Sequence, residues 1–228
     1  MNTQNLKHLI FDFDGTLVDS ADDYARCFQR LAAQRRPVRP LPEVSRIREL
    51  MFAGVRPQLE YTLGSLSDEE YQEALSHFRE ICHEVDLNHT ALYPGVESAL
   101  SELKNHGYTF SICTNRPQDF AEETLDYLKI REHFSVVIGG DRGLERKPDP
   151  AMLTHLWGET GYTPLESVMI GDSEVDVLAA HAAGCPAIAV TWGYTPYASL
   201  ASVNADALID QVSELSAALK RIEERTIG

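Results

Sequence analysis

The stretch LIFDFDGTLVDS, residues 9–20, decides how this chain is read. Leu9, Ile10 and Phe11 begin it as a buried strand should, and the strand is read over residues 9–13. Asp12 and Asp14 then interrupt the apolar run, and Gly15 follows them. Hiding unpaired charge is costly, so two acids in such a run need a physical reason. Residues at i and i+2 of a strand share a face, which points Asp12 and Asp14 at the same space.

Outward from this stretch the chain alternates. Helix-like sequence covers about residues 20–34, and no strong strand signal follows until about residue 92. In between, PEVSRIRELMFAG and SDEEYQEALSHFREICHEV carry apolar residues at helical spacing. Ser67 reads as an N-cap, with Glu70 placed to complete a capping box. From Pro94 onward the rhythm changes. GVESALSELKNHG reads as a helix stopped by Gly107, and YTFSICT as a strand. A helix from about Phe120, the strand FSVVIGG, a helix from about Pro150 and the strand SVMIG follow. A helix over 174–183, the strand PAIAVT and a last helix ending near Glu224 complete the series. Strands alternating with helices predict a parallel sheet covered on both faces. The expected fold class is α/β, with a Rossmann-like doubly wound core over residues 1–18 and 92–228. Residues 19–91 form an inserted α-helical cap. RRPVRPLP, residues 35–42, reads as a loop inside the insertion, and its Pro-rich character carries no ligand assignment.

Polar residues cluster at the carboxyl ends of four of these strands: Asp12 and Asp14, then Thr114 and Asn115, then Lys147 in the following loop, then Asp172 and Ser173. In an open parallel sheet, ligands bind in the crevice beyond those ends. Three carboxylates brought together repel one another unless a cation sits among them. Oxygen ligands without nearby His or Cys suit Mg²⁺. A hard cation, Lys147 and the Thr114 hydroxyl make a pocket for a phosphoryl group. Gly15 allows a turn whose backbone N–H groups approach phosphoryl oxygens, with Thr16 beside it.

Composition narrows the partners. A net charge of −15 over 228 residues repels nucleic acid and anionic membrane. An anionic substrate therefore needs a local reversal of field, which the cation and Lys147 would supply. No apolar run reaches membrane-spanning length, and MNTQNLKH lacks a secretory pattern. Cys27, Cys82, Cys113 and Cys185 form no C-x-x-C and read as free thiols of a cytoplasmic protein. The oligomeric state is not legible.

DFDGTLVDS, SICTNRP, KPDP and GDSEVD, in this order and setting, resemble the four motifs of the haloacid dehalogenase superfamily, and most closely its phosphoglycolate-phosphatase-like branch. The resemblance covers the whole chain, the cap by position and helicity only. It implies a Mg²⁺-dependent phosphatase acting on a small phosphorylated metabolite. Asp12 would attack phosphorus and become an aspartyl-phosphate. Asp14 would protonate the leaving oxygen and then activate water. Thr114 and Lys147 would hold phosphoryl oxygens, with Asn115 beside them. Asp172, Asp12 and the Asp14 carbonyl would bind Mg²⁺, and Ser173 and Asp176 would support that site. A sugar-phosphate mutase like β-phosphoglucomutase, an inorganic pyrophosphatase, and more remotely a non-catalytic binding module are the alternatives. Taken singly, each residue has an ordinary reading: an Asp after a strand caps a helix, a loop lysine is solvated, and Arg116 is a surface residue or a substrate contact.

The phosphonate-cleaving relatives need a cap lysine, and residues 20–92 contain none. The same segment holds nine arginines. Arg is the better bidentate partner of carboxylate or phosphate, and Arg56 in FAGVRPQ is the first expected contact to the non-transferring end of the substrate. An insertion over the crevice could close and open, with hinges near residues 17–20 and 91–95.

Overall fold

The computed structural model describes residues 5–35 and 41–225. Residues 36–40 of the Pro-rich stretch, with Arg36 and Arg39, and the terminal residues 226–228 lie outside the described residues. In chain order the elements are β1 (His8–Phe11), β2 (Val18–Asp19), α1 (Ala21–Arg35), α2 (Val44–Leu50), α3 (Val55–Leu63), α4 (Asp68–Glu84), β3 (Ala91–Leu92), α5 (Val96–Asn105), β4 (Thr109–Cys113), α6 (Gln118–Tyr127), β5 (Phe134–Ile138), α7 (Ala151–Thr160), β6 (Ser167–Gly171), α8 (Glu174–Ala182), β7 (Ala187–Val190), α9 (Tyr197–Ser202), β8 (Ala207–Ile209) and α10 (Leu215–Arg225). They fall into two compact units, one running to Val18 and resuming at Leu92, the other Asp19–Ala91.

The larger unit is built on a six-stranded sheet in the order β5-β4-β1-β6-β7-β8, parallel throughout. The strands are short apolar runs, because both faces are covered. Leu9 and Phe11 pack into one core with Phe110, Ile112 and Ile170. Ile10 faces the opposite core with Cys113, Ile138 and Met169. From β1 the chain builds outward first through β4 and β5, then on the other side through β6, β7 and β8. β1 is thus the switch point, where open parallel sheets leave a crevice for ligands.

The expected strand over residues 9–13 ends at Phe11. Asp12 to Gly15 therefore leave the sheet, and Asp14 forms an isolated bridge to Val18. The alternation that placed the two acids on one face does not reach them. β8 and α9 escaped the sequence reading because three and six residues are too few to show a period.

At the opposite end of the sheet, His8 is fully buried. Its Nδ1 lies 3.1 Å from Ser167 Oγ and its Nε2 2.8 Å from Ser111 Oγ, and the ring stacks on Tyr162 at 4.7 Å. Ser167 donates to the Thr163 carbonyl and accepts from Trp157 Nε1. Its one proton is thereby used, so His8 Nδ1 must be the donor, and Nε2 accepts from Ser111. Burial holds this imidazole neutral, lowering its pKa to about 4.

The smaller unit is helical. Phe28 of α1 stacks on Phe78 of α4 at 4.3 Å, with Tyr24 edge-on to both. Ile47 and Leu59 complete this core. The capping box at Ser67 and Glu70 is present, with both reciprocal hydrogen bonds. Gly54, at φ +83°, ends a 3₁₀ turn and separates α2 from α3. Asp23 Oδ2 accepts from His89 N and Thr90 Oγ1, each at 2.8 Å, and so ties α1 to the segment leading into β3. Among the described residues no helix is long and apolar enough to cross a membrane.

Candidate active site

Asp12 lies one residue past β1, and its backbone N–H still continues the ladder to Ile170 O at 2.8 Å. Asp172 lies one residue past β6, and Asp176 sits in the first turn of α8. One ligand oxygen from each of these three carboxylates falls within 4.8 Å of the others. All three residues are buried. Lys147 reaches into the cluster from the loop after β5. Its Nζ donates to Asp12 Oδ1 at 2.7 Å, to Asp176 Oδ1 at 2.6 Å and to the Cys113 carbonyl at 2.7 Å. The ammonium's three protons are thus all engaged.

The electrostatics follow from three acids around one base. Burial pushes the Asp12 carboxyl up to about 7; Lys147 opposes the rise and Asp176 adds to it. Burial, then Asp12 and Asp176, raise Asp172 well above the carboxylate range. Burial alone would lower Lys147, but Asp12 and Asp176 outweigh it and keep the ammonium charged. Cys113, immediately behind, is pushed up to about 12 by burial and stays a thiol. One ammonium does not compensate three buried carboxylates. An all-oxygen donor set short of positive charge fits a hard divalent cation such as Mg²⁺.

Each group is held by its backbone context. Asn115 clamps Lys147: its Oδ1 accepts from Lys147 N at 3.1 Å and its Nδ2 donates to Lys147 O at 3.0 Å. Its side chain therefore fixes the lysine's backbone. Ser173 caps α8 and donates through N and Oγ to Asp176 Oδ2, at 3.0 and 2.5 Å. Asp176 closes that capping box and answers Lys147 with its other oxygen, so it stands in the cluster itself and not only behind it. Thr16 Oγ1 donates to Asp172 Oδ1 at 3.4 Å. Thr114 is buried at the end of β4, and its Oγ1 accepts from Arg116 N at 3.1 Å. Gly15 has φ +84°, and a Cβ there would fall 2.3 Å from Asp172 Oδ2.

Two expected residues are engaged by partners that the sequence reading did not name. The Asp14 side chain is not in the three-carboxylate cluster; its Oδ1 accepts from Arg116 Nη1 at 2.6 Å. Arg56, within the helical unit, donates to Glu60 Oε1, Asp68 Oδ1 and the Leu66 carbonyl and lies 4.7 Å over the Tyr71 ring. Its guanidinium is already occupied inside its own unit.

The loop after β7 was missed by the sequence reading. Tyr194 N donates to Asp172 Oδ2 at 2.8 Å, and Trp192 Nε1 donates to the Thr16 carbonyl at 3.0 Å. A Cβ on Gly193 would fall 2.3 Å from Asp172 Oδ2. The signal was a glycine three residues past a strand, at the carboxyl edge of the sheet where the other motifs converge.

Comparison with known proteins agrees with this geometry. Residues 9–190 match the family model described as haloacid dehalogenase-like hydrolase. A protein of Photorhabdus laumondii named phosphoglycolate phosphatase is 34% identical over 219 residues, covering 93% of this chain and 92% of its own. One of the same name from Chromobacterium violaceum is 34% identical over 224 residues, covering 94% and 97%. The crystal structure of a predicted phosphoglycolate phosphatase from Haemophilus somnus superposes with a TM-score of 0.78 at 28% identity, covering 95% of this chain and 99% of that one. The resemblance read from the four motifs therefore holds, and the chain belongs to the haloacid dehalogenase-like hydrolase family, among its phosphatases.

Proposed function

We propose that the chain is a Mg²⁺-dependent phosphomonoesterase that works through an aspartyl-phosphate and takes a small anionic phosphate ester, with phosphoglycolate the first candidate. The observation that carries this reading is the Lys147 ammonium shared between Asp12 and Asp176, beside Asp172. The named relatives support the choice of ester.

Asp12, Asp172, Asp176 and the Asp14 backbone carbonyl are the groups that would hold Mg²⁺. The bound ion would neutralise the carboxylates and draw charge from the phosphoryl oxygens. Asp12 attacks phosphorus as the ester bond breaks, and Asp14 gives its proton to the departing oxygen. Water then attacks the aspartyl-phosphate, Asp14 takes a proton from it, and the Asp12–phosphorus linkage breaks to release phosphate. Lys147 and the Thr114 hydroxyl steady the transferring oxygens. The Gly15 and Thr16 N–H groups, expected to approach phosphoryl oxygens, are instead used inside the turn, on the Val18 carbonyl at 2.9 Å and the Phe13 carbonyl at 3.4 Å. Residues 19–91 act as the cap that reads the rest of the substrate.

A phosphate-release screen over small phosphate esters tests this, with Asp12→Asn and chelator-treated enzyme as controls. Release that needs both Asp12 and Mg²⁺ is expected. Isomerised sugar phosphate, or pyrophosphate as the preferred substrate, would overturn the assignment.

A further inference from the structure

Asp14 is gripped by a socket that joins Arg116 of SICTNRP and Phe13 of DFDGTLVDS to Thr124 of α6. Arg116 Nη1 donates to Asp14 Oδ1 at 2.6 Å, and the two side chains are only 13% and 21% exposed. The guanidinium carbon lies 5.6 Å from the centroid of the Phe13 ring. Nη2 donates to Thr124 Oγ1 at 3.4 Å. Thr124 gives its own proton to the Phe120 carbonyl at 2.7 Å, so its lone pairs face the arginine. The Arg116 backbone is tied at both ends, through N to Thr114 Oγ1 and through O to Gly140 N at 2.8 Å. A planar cation stacked on a ring, with separate nitrogens for two partners, has few other orientations, and a lysine cannot reproduce it.

We infer that Arg116 is the positioning residue for Asp14: it holds that carboxylate toward the leaving oxygen and away from the Asp12, Asp172 and Asp176 cluster. The inference rests on the phosphatase reading above. A fourth carboxylate beside a divalent ion is an available oxygen ligand, and one captured as a ligand cannot give and then take a proton. A guanidinium already holding the Asp14 carboxylate opposes that capture. Arginine is suited to this because it keeps its charge throughout. The proton leaves Asp14 for the ester oxygen as the P–O bond breaks. It returns to Asp14 from water as the new P–O bond forms.

The test uses the full chain with Mg²⁺ and two substrates, an alkyl phosphate that the wild type accepts and p-nitrophenyl phosphate. Arg116→Met keeps the packing on Phe13 and removes the ion pair. It is expected to lower kcat for the alkyl ester about 10- to 100-fold, within the range of acid–base contributions, with KM moved less than threefold. With p-nitrophenyl phosphate, the first turnover should stay at the wild-type rate and later turnovers slow. Nitrophenolate departs without a proton, whereas the attacking water still needs a base. In an Asp14→Asn background Arg116→Met should cost nothing further, and Arg116→Lys should recover part of the loss. Unchanged kinetics, a raised KM at constant kcat, a slowed first turnover with the aryl ester, or full additivity with Asp14→Asn each overturn the inference. Should the methionine variant not fold, Arg116→Lys decides: a reduced ratio of steady-state to first-turnover rate supports it, and a wild-type ratio overturns it. A wild type without phosphatase activity, or Asp12→Asn at full rate, removes the functional reading first and the inference with it.

Discussion

Lys147 Nζ lies 2.7 Å from Asp12 Oδ1, and both groups are buried at the switch point of the sheet. The pair joins the residue after the first strand to a loop 135 residues further on. Replacing the lysine removes the one cation that the described residues supply to three buried acids. Lys147→Met is expected to lose about 3 kcal/mol of stability, the scale for breaking a buried ion pair. It should also lower kcat about 100-fold or more. Denaturant unfolding together with phosphate release checks both.

The carboxylate cluster sets a pH dependence whose sign can be worked out. A carboxyl whose folded pKa is raised binds its proton more tightly in the folded state. Its stabilisation is full below the unfolded value near 3.8 and is lost as pH rises through about 7 for Asp12. Metal-free protein should therefore lose stability from these groups between about pH 4 and pH 7. Mg²⁺ should raise Tm, and raise it more at pH 8 than at pH 5. Thermal melts with and without Mg²⁺ read this; an ion effect equal at both pH values would contradict it.

His8 acts with the opposite sign. Its folded pKa is lowered from 6.5 to about 4, so its contribution is full above 6.5 and is lost as pH falls toward 4. The separation corresponds to roughly 3 kcal/mol at 1.36 kcal/mol per unit. The two windows overlap, so the His8 effect is read as a difference. The stability gap between wild type and His8→Gln should narrow by about that amount from pH 7 to pH 4.

Gly193 bears on Asp172 through space alone. Gly193→Ala places a Cβ 2.3 Å from Asp172 Oδ2. The carboxylate must move and give up its bond from Tyr194 N. A roughly tenfold weaker affinity for Mg²⁺ is expected, with a loss of metal-free stability beside it, because Asp172 Cβ stands at the same 2.3 Å and no rotation of the carboxylate clears it. A Mg²⁺ titration of activity and of Tm measures it.

Much of the core was legible because its signals are local. Contiguous apolar strands, Gly107 as a helix stop and the Ser67 capping box each depend on residues within a few positions. The convergence of Asp12, Lys147 and Asp172 followed from strand order and the switch-point rule. The exception at the site was Asp14. Its placement assumed that the strand continued to Phe13, but the chain turns at Gly15 and takes Asp14 out of the pleat. Arg56 shows the same limit in the helical unit. FAGVRPQ marks an arginine, but its partners Glu60, Asp68 and Tyr71 come from a turn of helix and a neighbouring element that the motif does not mention.

Spacing and chemistry along the chain were enough to determine the α/β class, the inserted helices and the meeting of Asp12, Lys147 and Asp172. Only the tertiary structure decided that Asp176 joins the cluster, that Arg116 pairs with Asp14, and that the loop of Trp192 to Tyr194 closes on Asp172. Periodicity reports which way a side chain faces within its own element, whereas a charge chooses its partner from whatever the fold brings within 3 Å, and that choice is written nowhere in the local sequence.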